Sequence, residues 1–286
     1  TVIRSILGLL PSGGKVTKGD ILFEGESLLQ YSKKQWRELR GTQISMIFQD
    51  SMTSLNPTMR VGRQMCEGIL RHQRVSRQEA QQISAELLGQ VGLPNPELVA
   101  KRYPHTMSGG QRQRVMIAMA MACNPKILFA DEPTTALDVT MQAQILDLMN
   151  HLKEKRGTSI LLITHDLGVV ANLADRVAVM YAGKIVETGT AEDIFYDPRH
   201  PYTWGLLRSL PALSRGKETL PIIPGMPPTL IDPPQGDAFA SRNEYALAID
   251  YEEAPPMFRV SDTHYAATWL LDERAPKITP PVGGAR

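Results

Sequence analysis

Residues 107–132 read MSGGQRQRVMIAMAMACNPKILFADE, and the fold turns on this stretch. Ser108-Gly109-Gly110-Gln111 leads into a helix over 112–123 that is apolar nearly all round, and so belongs in a core. Two glycines after a serine at a helix start expose backbone N–H groups beside the positive end of the helix dipole. That is a site for phosphate. A plain glycine turn between helices has the same letters, so the neighbouring sequence must separate the two. Ile127-Leu128-Phe129-Ala130 is a short apolar strand that ends in Asp131-Glu132. At the carboxyl edge of a parallel sheet, such a pair can hold Mg2+ and orient a water. On an isolated strand it is only an exposed acidic pair.

Working outward, β and α signals alternate. Lys126 to Ala130 is a strand, 139–156 a helix, Ser159 to Ile163 a strand, 167–174 a helix and Arg176 to Tyr181 a strand. Short apolar strands separated by helices argue for a parallel sheet covered on both faces. Ala182-Gly183-Lys184 reads as a hairpin turn into Ile185-Val186-Glu187. Thr164-His165-Asp166 leaves a buried strand at the edge where Asp131 and Glu132 stand, so His165 can reach a terminal phosphate. Upstream, Gln43 to Phe48 is another apolar strand, and Gln49 ends it. Its amide can ligate Mg2+ or the attacking water.

The rest of the first half is mostly helical, with one further strand. Residues 1–10 read as a helix without a capping residue, 19–26 as a half-buried strand and 33–40 as a polar helix. From about 60 to 125 helices dominate. Ser76-Arg77-Gln78-Glu79 is a capping box, and Ala80, Ile83, Leu87 and Val91 form the apolar face behind it. Of the 21 prolines, 12 lie from Pro211 onward, which marks a loop-rich C-terminal appendage.

Composition excludes several classes. The 31 basic and 30 acidic side chains leave a net charge of +1, no basis for nucleic-acid binding through bulk electrostatics. The longest apolar run, Val115 to Cys123, has nine residues, too few to span a bilayer. No basic-then-apolar leader opens the sequence, so export is not expected. Cys66 and Cys123 are far apart, which excludes a disulfide scaffold and a cysteine-rich metal site and points to a reducing cytoplasm.

The series is Gln49 at a strand end, a helical insert, Ser108-Gly109-Gly110-Gln111, a strand ending in Asp131-Glu132, then Leu137-Asp138, then a strand ending at His165. In order and spacing it resembles the ATP-binding-cassette ATPases, over nearly all of residues 1 to 190. The resemblance implies a P-loop NTPase-like α/β fold that binds ATP and Mg2+. It implies that Glu132 is the catalytic acid, Asp131 the metal-holding acid, Gln49 the glutamine at the Mg2+ and His165 the switch histidine. It makes Ser108, Gly109, Gly110 and Gln111 the signature loop, with Met107 where Leu is usual, and places Asp138 in the D-loop. The phosphate-cradling pattern G-x-x-x-x-G-K-[ST] does not occur, and Lys15 lacks its context. In this family that loop directly precedes the helix read here over 1–10. The expectation is therefore a chain truncated at its start, which as given binds ATP poorly and offers its signature loop to a partner.

The C-terminal part resembles the branch that powers oligopeptide and dipeptide importers. The resemblance rests on His200-Pro201-Tyr202-Thr203, Leu206-Leu207 and Ser209-Leu210-Pro211, with Tyr103-Pro104-His105 and Ser51-Met52-Thr53-Ser54-Leu55-Asn56-Pro57. It implies an ATPase domain over 1–195, with a helical subdomain at about 60–125, and an importer-type region over 196–286. It implies a second ATPase subunit, identical or paralogous, two transmembrane permeases and, indirectly, an extracytoplasmic peptide-binding protein. The expected location is the cytoplasmic face of the inner membrane, peripherally attached. Relatives often carry four cysteines in the tail; the matching positions here are Asp237, Asn243, Asp250 and Thr268, so no iron–sulfur cluster is expected. His200 and His264 read as structural or surface residues, and Tyr245, Tyr251, Phe258 and Trp269 as packing. Two rivals remain: a soluble cassette ATPase acting on nucleic acid or the ribosome, and an inert subunit that only donates its signature loop.

Overall fold

A computed structural model describes residues 1–49, 54–135, 137–210 and 221–282. Asp50, Ser51-Met52-Thr53, Ala136 and Pro211 lie outside the described residues. The chain divides into two compact units, Thr1–His165 and Asp166–Arg286.

The first unit is built on a parallel three-stranded sheet. In it β4 (Ile127–Asp131) lies between β3 (Ile44–Ile47) and β5 (Ser159–Ile163). Ile44 and Phe129 pack against Ile3 of α1 (Val2–Ile6), Leu7, Leu28 and Leu39 of α2 (Lys33–Leu39). Leu128 and Ala130, which alternate with Phe129 along β4, are also buried, so the strand is covered on both faces as its unbroken apolar letters require. The first helix is shorter than expected because Gly8 turns left-handed (φ 60°) and Arg40 binds the Leu7 and Gly8 carbonyls. The expected strand over 19–26 is instead a hairpin, β1 (Leu22–Phe23) against β2 (Glu26–Ser27). Glu24 and Gly25 both have positive φ (52° and 86°), the geometry of a two-residue hairpin turn.

The helical stretch holds α3 (Val61–His72), α4 (Arg77–Gln90), α5 (Pro96–Ala100) and α6 (Gly109–Ala120). The α4 capping box forms as read: Ser76 Oγ accepts from the Glu79 N–H (3.2 Å) and Glu79 Oε2 accepts from the Ser76 N–H (2.6 Å). The Ser76 N–H holds the Glu79 carboxyl below the usual range, and the Ser76 hydroxyl adds to it. Helix α6 packs on β3, and α7 (Val139–Arg156) joins β4 to β5.

The second unit holds α8 (Leu167–Leu173), β6 (Arg176–Tyr181), β7 (Lys184–Thr190), α9 (Ala191–Tyr196), α10 (Pro201–Arg208), β8 (Phe258–Arg259) and β9 (Tyr265–Ala266). The strand over 176–181 does not extend the parallel sheet. Its two-residue turn, Ala182-Gly183 at φ 47° and 79°, returns the chain at once, and β6 pairs antiparallel with β7. The order is β6-β7-β9-β8, so the appendage supplies the strands beyond β7. Val179, Tyr181, Val186, Ile194 and Phe239 form the core, with Tyr202 and Leu206 against it.

Candidate active site

Parallel register brings three strand ends to one edge. Ile47 pairs with Ala130, and Asp131 with Ile163. Gln49, two residues beyond Ile47, is thereby level with Glu132, and His165 lies two residues beyond Ile163. Their side chains meet. Gln49 Nε2 donates to Glu132 Oε2 (2.7 Å), and His165 Nδ1 is 3.1 Å from Glu132 Oε1. Thr135 Oγ1 also donates to Glu132 Oε2 (3.0 Å). Glu132 itself leaves the strand left-handed (φ 47°), with its N–H on the Ile163 carbonyl (2.8 Å). A non-glycine residue in that region carries roughly 1–2 kcal/mol of strain. The three donors hold the Glu132 carboxyl below its ordinary range, His165 contributing most and Thr135 next. His165 is largely exposed while Glu132 is less than a quarter exposed, so the imidazole is free to turn toward a ligand without opening a core.

The signature residues form a second locus in the same unit. Ser108 caps α6: its Oγ accepts from the Gln111 N–H (3.3 Å), and Gln111 Oε1 accepts from the Ser108 N–H (3.2 Å). A serine and a glutamine three residues apart thus make a capping box at a helix of twelve residues. Asp138 does the same for α7, accepting from the Met141 N–H (2.9 Å). The Met141 methyl lies against Gly110 and Leu137 beside Gly109, so the glycines and the Asp138 turn are neighbours. The structure therefore gathers Gln49, Asp131, Glu132 and His165 at the sheet edge, and Ser108, Gly109, Gly110, Gln111 and Asp138 where α6 meets α7.

The model of the ABC transporter family matches residues 1–135, and that of the oligopeptide/dipeptide transporter C-terminal region matches 186–249. The oligopeptide transport ATP-binding protein OppD of Bacillus subtilis is 60% identical over 97% of this chain and 78% of its own length. The chain belongs to the ABC transporter family. The dipeptide transport ATP-binding protein DppD of Lactococcus lactis is 56% identical, over 97% of this chain and 80% of its own. Among solved structures, the dimeric post-hydrolysis state of the cassette MJ0796 bound to ADP and Pi matches with a TM-score of 0.57 at 26% identity. It covers 66% of this chain and 80% of that one. The chain is thus an ABC ATPase of α/β, P-loop NTPase type. Among the described residues, no helix is long and apolar enough to cross a membrane.

The donor set of this ABC ATPase suits a hard cation. Asp131 offers a carboxylate. Gln49 has its amide nitrogen on Glu132, which leaves Oε1 to face an ion. Among the described residues no cluster of three or more His, Cys, Asp or Glu could cage a metal alone, and Mg2+ ordinarily takes one or two carboxylates with substrate phosphates. The tail offers no thiolate ligands. Asp237, Asn243 and Thr268 each accept the N–H two residues on, at 3.1, 3.0 and 3.3 Å, and Asp250 accepts from Leu247 (2.7 Å). At these four positions oxygen atoms cap turns.

Sequence reasoning gave Thr135 no role, although a hydroxyl three residues after an acid was there to be read. It also missed Glu187. That carboxylate is wholly buried; Oε1 accepts from the Arg199 N–H (2.6 Å) and meets His264 Nε2 (2.8 Å), and Oε2 accepts from the His200 N–H (3.1 Å). His200 and His264 are accordingly buried, and the surface alternative falls. Tyr245 stacks edge-on with Trp204 and Phe258 with Trp269, as packing residues do.

Proposed function

We propose that this ABC ATPase powers peptide import, with Glu132 orienting the water that attacks the γ-phosphate of ATP. The observation that carries this is the meeting of Gln49, Glu132 and His165 at the carboxyl edge of the parallel sheet. In this reading Gln49 and Asp131 hold Mg2+, which neutralises phosphate charge, and His165 turns from Glu132 to stabilise charge on the γ-phosphate. A depressed carboxyl suits Glu132, since it stays ionised and able to accept a hydrogen bond from water at neutral pH. Ser108, Gly109, Gly110 and Gln111 present the α6 N-terminus to nucleotide held by a second ATPase subunit, with Asp138 beside them.

The peptide cargo is supported by the relatives' names and by the match of the importer-type C-terminal region. The ATPase domain would extend over 1–195, with its helical subdomain at about 60–125, and the importer-type region over 196–286. Two membrane permeases would be the partners, the subunit attaching at the cytoplasmic face. The test is Glu132→Gln in the assembled transporter, with peptide uptake and phosphate release measured together. Both should stop while ATP stays trapped. Hydrolysis that survives the change refutes the role of Glu132, and uptake of peptide by vesicles that is indifferent to ATP refutes the transport reading.

A further inference from the structure

Three donors hold the Glu132 carboxylate, and they differ in origin. Gln49 follows β3 and His165 follows β5; both reach in from other strands. Thr135 stands on Glu132's own turn. It is tied to Glu132 twice: its N–H donates to the Glu132 carbonyl (3.2 Å) and its hydroxyl to Oε2 (3.0 Å). Gln49 and Thr135 share Oε2, whereas among the described residues Oε1 has the His165 contact alone.

We propose that Thr135 is a positioning residue for ATP hydrolysis, whose hydroxyl keeps the Glu132 carboxylate aimed once Gln49 and His165 have turned to magnesium and phosphate. The proposal rests on the reading of Glu132 given above. The backbone of Glu132 is fixed by its N–H on Ile163, but three side-chain torsions separate that anchor from the carboxylate. With Gln49 and His165 gone, Thr135 is the remaining partner of the group among the described residues. It leaves Oε1 open toward a water while holding Oε2. Without it the carboxylate samples other rotamers, and the fraction aligned for attack falls. His165 is the titratable side chain bonded to Glu132, Asp131 is its charged chain neighbour, and Gln49 and Thr135 are neutral.

The experiment compares Thr135→Val with Thr135→Ser in the assembled transporter. Valine keeps the branched shape and the backbone bond and loses the hydroxyl; serine keeps the hydroxyl. Thr135 is exposed, so neither change disturbs a core. Thr135→Val should lower kcat about tenfold, the effect of ~1.4 kcal/mol, with KM for ATP within about twofold. Thr135→Ser should restore the unsubstituted kcat. An unchanged Thr135→Val, or a Thr135→Ser as impaired as Thr135→Val, overturns the proposal. Glu132→Gln separates the two levels: if it still hydrolyses ATP, the reading of Glu132 fails; if it is dead beside an unchanged Thr135→Val, only the role of Thr135 fails.

Discussion

Replacing Glu187 by Ala should cost the second unit about 3–5 kcal/mol, the range expected when a buried, charge-bearing hydrogen-bond partner is removed. The magnitude follows from what the carboxylate holds. It is wholly buried in β7 and takes the N–H groups of Arg199 and His200 and the Nε2 of His264. It therefore joins three pieces distant in sequence: the central strand, the turn that leads into α10 and the segment just before β9. Truncation leaves two backbone N–H groups and one imidazole without an acceptor. Each orphaned buried donor costs about 1–3 kcal/mol, and relief from burying the carboxylate returns part of the sum. Glu187→Gln keeps the shape but puts an amide nitrogen against one set of donors, so it should lose about 1–3 kcal/mol. Urea unfolding followed by tryptophan fluorescence reads this directly. Trp204 is buried, and its indole donates to the Pro198 carbonyl (2.8 Å) beside the Arg199 turn. Trp36 of the first unit is changed to Phe in every protein compared, so that the signal comes from the second. A Glu187→Ala loss below about 1 kcal/mol with an unchanged m-value would refute this account of the carboxylate.

Two further outcomes follow from the same unit. Burial holds His200 down to about 4, so the folded form binds fewer protons than the unfolded chain below the ordinary histidine range; stability should fall by about 2 kcal/mol between pH 7 and pH 5, and His200→Asn, which keeps a cap for α10, should flatten that slope in urea titrations even if its midpoint is lower. Gly236→Ala would set a Cβ 2.1 Å from the Asp250 carbonyl oxygen, in backbone that also carries the Asp237 N–H to Asp250 bond (2.7 Å); a loss of about 1–3 kcal/mol is expected on thermal unfolding, and a change under about 0.5 kcal/mol would contradict the close approach.

Local signals were legible wherever one short segment settles its own structure. The Ser76–Glu79 cap, the helix over 139–156, the strand over 159–163 and the Ala182-Gly183 turn were written in a few adjacent letters, because capping and turn chemistry act within one turn of chain. The order Gln49, signature, Asp131-Glu132, Asp138, His165 was likewise enough to name the family. The strand over 19–26 misled because alternation alone does not mark a two-residue turn, and Glu24 is not a residue expected at positive φ.

Other features depended on segments far apart. Nothing in the letters of 176–181 says that this strand joins an antiparallel sheet with the appendage rather than the parallel one. Nothing near Glu187 announces a buried charge; its partners stand 12, 13 and 77 residues away. Sequence alone determined which chemistry-bearing groups this protein has and which strand ends carry them, since apolar runs and caps act locally. Only the tertiary structure decided that Gln49 and His165 converge on the Glu132 carboxylate. The register of three parallel strands sets those distances, and register is fixed by packing across the whole sheet.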